Sequence, residues 1–267
     1  MEGTIQLLRK VFPLVIERLC EKMPQKNKSI TERVVRGVVD GVCLGVFLTG
    51  LWYSHAVLYP QKHLPWYRAA FYLTQWQARL HALWCALAVA QQLGARWPGA
   101  RATARLYSVV LDLTAIVSAV FWGLWLYRPA LILSGVEDPA DPWREYPLWL
   151  CHAHHTMPFA AAALEGLLFP RTLDVRAWTA PAECAAALAV PLAYTAWVLA
   201  AHARGLWDLP YGFLRAPSPR ALARTLALVA LLIVALVLVL RLLRRLVLSL
   251  HTRSHNKGHT EKKKKQQ

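Results

Sequence analysis

Cys151-His152-Ala153-His154-His155-Thr156 places three imidazoles within four positions at the opening of an apolar segment. Ionisable side chains are costly in hydrocarbon, and those found there line cavities, pair with one another or do chemistry. For His155 the residues alone leave four roles open: ligand, proton relay, general base and packing group. Thr74 is a second candidate, a hydroxyl inside another apolar segment. A threonine in a membrane helix ordinarily bonds back to a carbonyl of its own turn, so Thr74 gains meaning only from its surroundings. Pro65 and Pro147 each suit the first turn of a helix, where a missing N–H costs nothing. If helices begin there, Thr74 lies about 13 Å and His155 about 12 Å in from the same, lumenal side. A hydroxyl and an imidazole at equal depth form the minimum for covalent acyl transfer by an activated nucleophile.

Both residues need helices to carry them, and the composition says which kind. The 267 residues are 56% hydrophobic with 12 tryptophans, yet carry a formal net charge of +16. That pairing is foreign to a soluble domain and natural for a bilayer protein with basic flanks. A hydrocarbon core of about 30 Å takes roughly 20 apolar residues per helix. Six segments qualify, near residues 38–59, 72–93, 106–127, 148–168, 184–202 and 222–246. The expected fold is all-α, a polytopic transmembrane helical bundle of about six spans preceded by an amphipathic N-terminal helix. Residues 1–33 form the cytosolic N-terminal segment and linker, 34–248 the six-span domain and 249–267 a basic cytosolic tail. In the first of these, Ile5, Leu8, Phe12, Val15, Ile16 and Leu19 recur at helical spacing. A polar linker at 24–29 follows, and Ser29-x-x-Glu32 reads as a capping box for the first long helix.

Charge placement orients the bundle. Arg9, Lys10, Arg18, Lys22, Lys26, Lys28, Arg33 and Arg36 precede or open the first span, and a second basic group from Arg241 to Lys265 closes the last. By the positive-inside rule both termini are cytosolic, which requires an even number of spans. Arg96, Arg101 and Arg105 agree, as do the acids Glu137, Asp138, Asp141 and Glu145 in the lumenal third loop; Arg204, Arg215 and Arg220 run against the pattern. Because the charge flanks apolar helices, nucleic acid is not an expected partner. Lys264-Lys265-Gln266-Gln267 fits a dilysine retrieval signal, which favours the endoplasmic reticulum over the plasma membrane, and equally a solvated basic run. The cysteines Cys20, Cys43, Cys85, Cys151 and Cys184 show neither a disulfide framework nor zinc spacing, and no metal or other cofactor is expected.

Further polar residues fall inside the spans. Asp40 follows Arg36 by four positions, the spacing of an ion pair on one helix face. Arg79 and Asp112 come near mid-membrane on neighbouring helices and are expected to pair. Glu165 lies close enough to the inner end of the fourth span to reach the interface.

At these residues the chain resembles the integral-membrane family of androgen-induced protein and the androgen-dependent regulator of tissue factor pathway inhibitor. Tyr72-Leu73-Thr74 resembles that family's nucleophile segment, and Trp149-Leu150-Cys151-His152-Ala153-His154-His155-Thr156 resembles its Trp-Leu-Asn-His-x-Met-His-Thr motif. Ala119-Val120-Phe121-Trp122 and Gly205-Leu206-Trp207-Asp208-Leu209-Pro210 add matches in the same order, so the likeness covers about residues 72–213. His154 stands where the motif usually has Met, and Cys151 where it has Asn. The resemblance implies a threonine-dependent hydrolase of fatty acid esters of hydroxy fatty acids. Thr74 would be the nucleophile and His155 the general base, with His152 contacting substrate or orienting His155 and His202 bordering the same cavity. The partners implied are a branched lipid ester and the membrane itself. Three alternatives come from other classes: a transporter using Arg79, Asp112 and His155 as a proton path, a haem-binding electron carrier using His81, His152, His155 and His202, and a scaffold whose basic tail recruits partners.

Overall fold

The computed structural model describes residues 25–58, 72–94, 100–127, 148–169, 179–206, 209–211, 214–215 and 218–264. The expected N-terminal amphipathic helix, Pro65, Pro147, the acidic third loop and the last three residues lie outside them. Among the described residues the chain is all-α. Helix α1 (Gln25–Tyr53) runs into a π-helical turn, Ser54–Leu58. It is followed by α2 (Leu73–Gln92), α3 (Ala100–Tyr127), α4 (Leu148–His155), α5 (Met157–Leu168), α6 (Ala180–Ala203) and α7 (Pro219–Lys264).

Among the described residues each of the six expected apolar segments is helical over most of its length, and four stretches are long and apolar enough to cross a bilayer: Arg33–Leu58, Ala104–Tyr127, Ala180–Ala203 and Pro219–Ser249. Helix α2 carries Gln75, Gln77, Arg79 and His81 among its apolar residues. The fourth expected segment is two helices, broken at Thr156. Pro158 accounts for the break, because it has no N–H to offer the carbonyl of His154 four residues back. The protein is an integral membrane protein. Its exposed large side chains argue the same way: Val34, Val38 and Val42 line one face of α1, and Leu228, Leu231, Leu232, Leu242 and Leu243 line α7. Such faces are tolerated where the surrounding solvent is lipid.

Local signals set several helix starts. Thr179 accepts a hydrogen bond from the Ala182 N–H at 3.4 Å, and Ser218 accepts one from the Ala221 N–H at 3.2 Å. A proline follows each cap, at 181 and 219. At α1 the expectation is corrected. The helix begins at Gln25, through the segment read as a linker, so Ser29 lies inside it instead of capping it. Helix α2 also departs from the reading that started it at Pro65. Tyr72 is extended (φ −118°, ψ 122°), and its carbonyl receives the N–H groups of Gln75 and Trp76, so the helix opens at Leu73.

Alternating helix directions divide the bundle into two chemically distinct ends. At one end, where α1, α3 and α6 begin, buried charges tie helices together. Glu183 on α6 accepts hydrogen bonds from both Arg241 and Arg244 on α7. Arg244 also donates to Ser108 Oγ at 2.8 Å and lies 3.7 Å from Asp112, both on α3. A second cluster joins α1, α2 and α5. Arg36 contacts Glu165 at 2.6 Å and its helix neighbour Asp40 at 3.8 Å, while the Trp84 indole donates to Glu165 at 2.9 Å. The Arg36–Asp40 pair forms as its spacing predicts. Two other readings are corrected. Glu165 is buried in this cluster instead of reaching the interface. Asp112 faces Arg244, and Arg79 sits with His55 at the other end, so the expected Arg79–Asp112 pair does not form.

Apolar packing fills the space between the ends. Phe47, Trp84, Cys85, Tyr107, Val110 and Ala162 centre one cluster, and Ile116, Ala187, Ile233 and Val237 join α3, α6 and α7 in another. Removing one member of a buried, hydrogen-bonded ion cluster leaves the others uncompensated, at a cost of about 3 kcal/mol or more. Glu183→Ala, which strands Arg241 and Arg244, is expected to lose at least that much stability in reversible unfolding in mixed micelles. Glu183→Gln, which keeps hydrogen-bond acceptance, is expected to lose less.

Candidate active site

The other end of the bundle holds the histidines, and the helix break presents them. His155 is the last residue of α4, and its ring lies flat on Phe121 of α3, with centroids 3.6 Å apart and planes 16° from parallel. Its Nδ1 is 2.9 Å from the carbonyl oxygen of Cys151. A carbonyl only accepts, so Nδ1 carries the proton and Nε2 keeps the lone pair. The backbone is held as well: Ser118 Oγ on α3 donates to the carbonyl of His155. Because the backbone of residue 151 makes the imidazole contact, cysteine in place of the usual asparagine leaves that bond intact. The Cys151 sulfur stands off at 3.7 Å from the same nitrogen.

The neighbouring histidines face elsewhere. His154 is buried against Gly50 of α1, where a β-carbon would meet its Nε2 at 3.3 Å, and its ring centre is 6.4 Å from that of His155. His152 is exposed and stacks on Trp122 at 5.5 Å. Its Nδ1 is 3.0 Å from Thr156 Oγ1, which also accepts the Trp122 indole N–H at 3.1 Å. His202 is exposed in the last turn of α6, toward the same end of the bundle. His81 is buried on α2 beside Phe47, with ring centres 4.4 Å apart.

Thr74 is the second residue of α2 and half-buried. Its hydroxyl lies beside the phenol of Tyr211, in the segment between α6 and α7. Tyr211 packs edge-on against Tyr72 at 6.3 Å and lies 6.4 Å from Tyr194, and Trp76 meets Tyr194 at 5.8 Å. Burial pushes the Tyr211 phenol well above the ordinary tyrosine range, and Tyr72 adds to the effect, so at neutral pH Tyr211 keeps its proton. Thr74 and His155 lie toward one end of the bundle, but none of the described hydrogen bonds or ring contacts joins them. Thr74 is one residue into α2 and His155 seven residues into α4. The depth reckoned for Thr74 took its helix to start at Pro65, whereas α2 opens at Leu73, eight residues later.

Sequence reasoning passed over several members of this end. His55 lies in the π-helical turn, with its Nε2 2.8 Å from Arg79 Nη2. A histidine within the first apolar segment was the available signal, and it carries the same cost in hydrocarbon as those at 152–155. Phe121 and Trp122 stood in a matched motif but without a role. Tyr194 and Tyr211 gave no spacing signal, since only folding brings them to Thr74.

These features define a class: an integral-membrane helical bundle, locked by buried charges at one end and bearing a broken, histidine-rich helix at the other. Residues 39–245 match the family model described as FAR-17a/AIG1-like protein, and the chain belongs to that family. No curated protein and no solved structure matches it.

The contact between Gly50 and His154 yields a graded test. In a helix, alanine gains over glycine by up to about 1 kcal/mol, which offsets a displacement of a few tenths of an ångström, so Gly50→Ala is expected to be nearly neutral. Gly50→Leu overfills the site and is expected to cost about 2 kcal/mol, read by the same unfolding measurement. Equal tolerance of both would mean that α1 does not hold His154.

Proposed function

We propose that this chain is an intramembrane hydrolase of fatty acid esters of hydroxy fatty acids, with Thr74 as nucleophile and His155 as general base. The observation that carries the reading is the fixed tautomer of His155: with Nδ1–H donated to the Cys151 carbonyl, Nε2 is the nitrogen able to take a proton. Family membership over residues 39–245 and the resemblance of the segments around Thr74 and His155 supply the reaction class.

In the proposed reaction Thr74 Oγ1 attacks the ester carbonyl carbon, and its proton passes to His155 Nε2. Collapse of the tetrahedral intermediate breaks the bond to the branch oxygen, which takes that proton and leaves as the hydroxy fatty acid. The remaining acyl group is esterified to Thr74. Water then attacks this ester and gives a proton to Nε2; collapse releases the second fatty acid and returns the proton to Thr74. The stacked Phe121 ring and the Ser118 hydroxyl restrict the imidazole to one orientation, as a base requires. The neutral Tyr211 phenol orients the Thr74 hydroxyl.

Purified protein is expected to hydrolyse a branched fatty acid ester and to be labelled on Thr74 by a fluorophosphonate probe. Thr74→Ala and His155→Ala should each lower turnover by about 10³-fold or more, and both should lose labelling while helicity and melting stay intact. Full turnover in either variant would remove that residue from the chemistry. Wild-type protein that neither turns over nor labels would overturn the hydrolase reading.

A further inference from the structure

Three polar residues share one face of α2. Gln77 follows Thr74 by three positions and His81 follows it by seven, spacings that stack side chains on one side of a helix. Gln75, although next to Thr74 in sequence, is turned about 100° away from it. The shared face looks inward: Gln77 and His81 are each 1% exposed, and α1, α3 and α4 pack on the helix. Buried polar atoms are normally hydrogen-bonded, because leaving one unbonded costs the full loss of its hydration. Yet no protein group bonds Nε2 or Oε1 of Gln77, or Nδ1 of His81. His81 at least packs against the Phe47 ring of α1. None of the described hydrogen bonds, ion pairs or ring contacts engages the Gln77 amide, so it is free to present its NH₂ group to either side.

Position decides what the amide can reach. Cβ atoms three positions apart on a helix are about 5–6 Å from one another, and helical side chains lean toward the N-terminus. The Gln77 side chain, two carbons longer than a hydroxyl-bearing one, therefore reaches back over the turn that holds Thr74.

We propose that Gln77 is the oxyanion donor of the reaction begun by Thr74, with its Nε2–H bonded to the carbonyl oxygen of the lipid ester. The inference rests on the hydrolase reading and adds a group that the reading lacks. When Thr74 Oγ1 adds to the carbonyl carbon, the π electron pair moves onto that oxygen, and negative charge grows beside the amide. Gln77 gives up no proton, and the pair returns as the bond to the leaving oxygen breaks. The same donor serves again when water attacks the acyl-threonine. A neutral amide suits the place, since it buries no charge in hydrocarbon before substrate arrives. With no protein acceptor to break from, it spends its hydrogen bond on the substrate, and that bond strengthens as the transition state forms.

The test uses full-length protein in lipid nanodiscs with a branched fatty acid ester as substrate. Gln77→Met keeps much of the side chain's length and deletes the donor. It is expected to lower kcat by about 10²-fold or more, the scale of one oxyanion donor, with KM little changed. Its melting temperature should hold or rise, because a buried unbonded group has been removed. Fluorophosphonate labelling of Thr74 should slow by a similar factor, since the phosphoryl oxygen takes the place of the oxyanion. Gln77→Asn, whose amide reaches one methylene less, should keep part of the rate. Should Gln77→Met fail to fold by circular dichroism, Gln77→Leu is read in its place. Full turnover in the folded apolar variant overturns the proposal. So does turnover lost together with melting temperature, or failure of both apolar variants to fold, either of which marks Gln77 as a structural residue. An active wild type with an indifferent Gln77 removes only the donor; a wild type that neither turns over nor labels removes the hydrolase reading, and the donor with it.

Discussion

The bundle depends on Glu183 standing between Arg241 and Arg244. In a low-dielectric interior an isolated charge is untenable, so α6 and α7 must meet where those side chains can satisfy one another. Arg244 extends the requirement to α3 through Ser108 and Asp112. The Arg36–Asp40–Glu165 cluster imposes the same demand on α1, α2 and α5. Apolar surfaces pack almost equally well in many registers when lipid is the alternative neighbour, because lipid tails are as apolar as leucine. Charged groups have few acceptable arrangements. The ion clusters thereby select one packing among many.

With register fixed at one end, the other end can hold polar groups that add little to cohesion. His155 takes its orientation from the Cys151 carbonyl, the Ser118 hydroxyl and the Phe121 ring, contacts that point a side chain more than they bind helices. The same holds for Thr74 and its tyrosines, and for Arg79 and His55. A division between a cohesive end and a polar, histidine-bearing end keeps the groups that fix the packing apart from those that do not.

Much of this was legible in the chain. Hydropathy located every helix that the described residues contain, and the spacing of Arg36 and Asp40 gave their contact. The fourth segment was read as one span, although Pro158 was the available signal for its break, because a missing N–H is a local property. Interhelical partners were not legible. Arg79 and Asp112 looked matched by depth, but depth says nothing about rotation about the helix axis, and rotation turns Asp112 toward α7. The start of α2 was misplaced for a related reason: Pro65 permits a helix to begin without requiring it, and the extended backbone of Tyr72 postpones it. The meeting of Tyr211 with Thr74 spans 137 positions of sequence, from 74 to 211, and no local pattern encodes it.

The break at Thr156 has a mechanical meaning. In an unbroken helix the carbonyl of His155 would be tied to the following turn and would move with it. Here that carbonyl is held by Ser118 and the ring by Phe121, both on α3. The imidazole is therefore tied to α3 as well as to its own helix, whose Cys151 carbonyl holds Nδ1. Spanning helices tilt to match the thickness of the hydrocarbon around them. A bilayer that tilts α3 thus pulls on His155, so the thickness of the surrounding lipid bears on a side chain buried inside the protein.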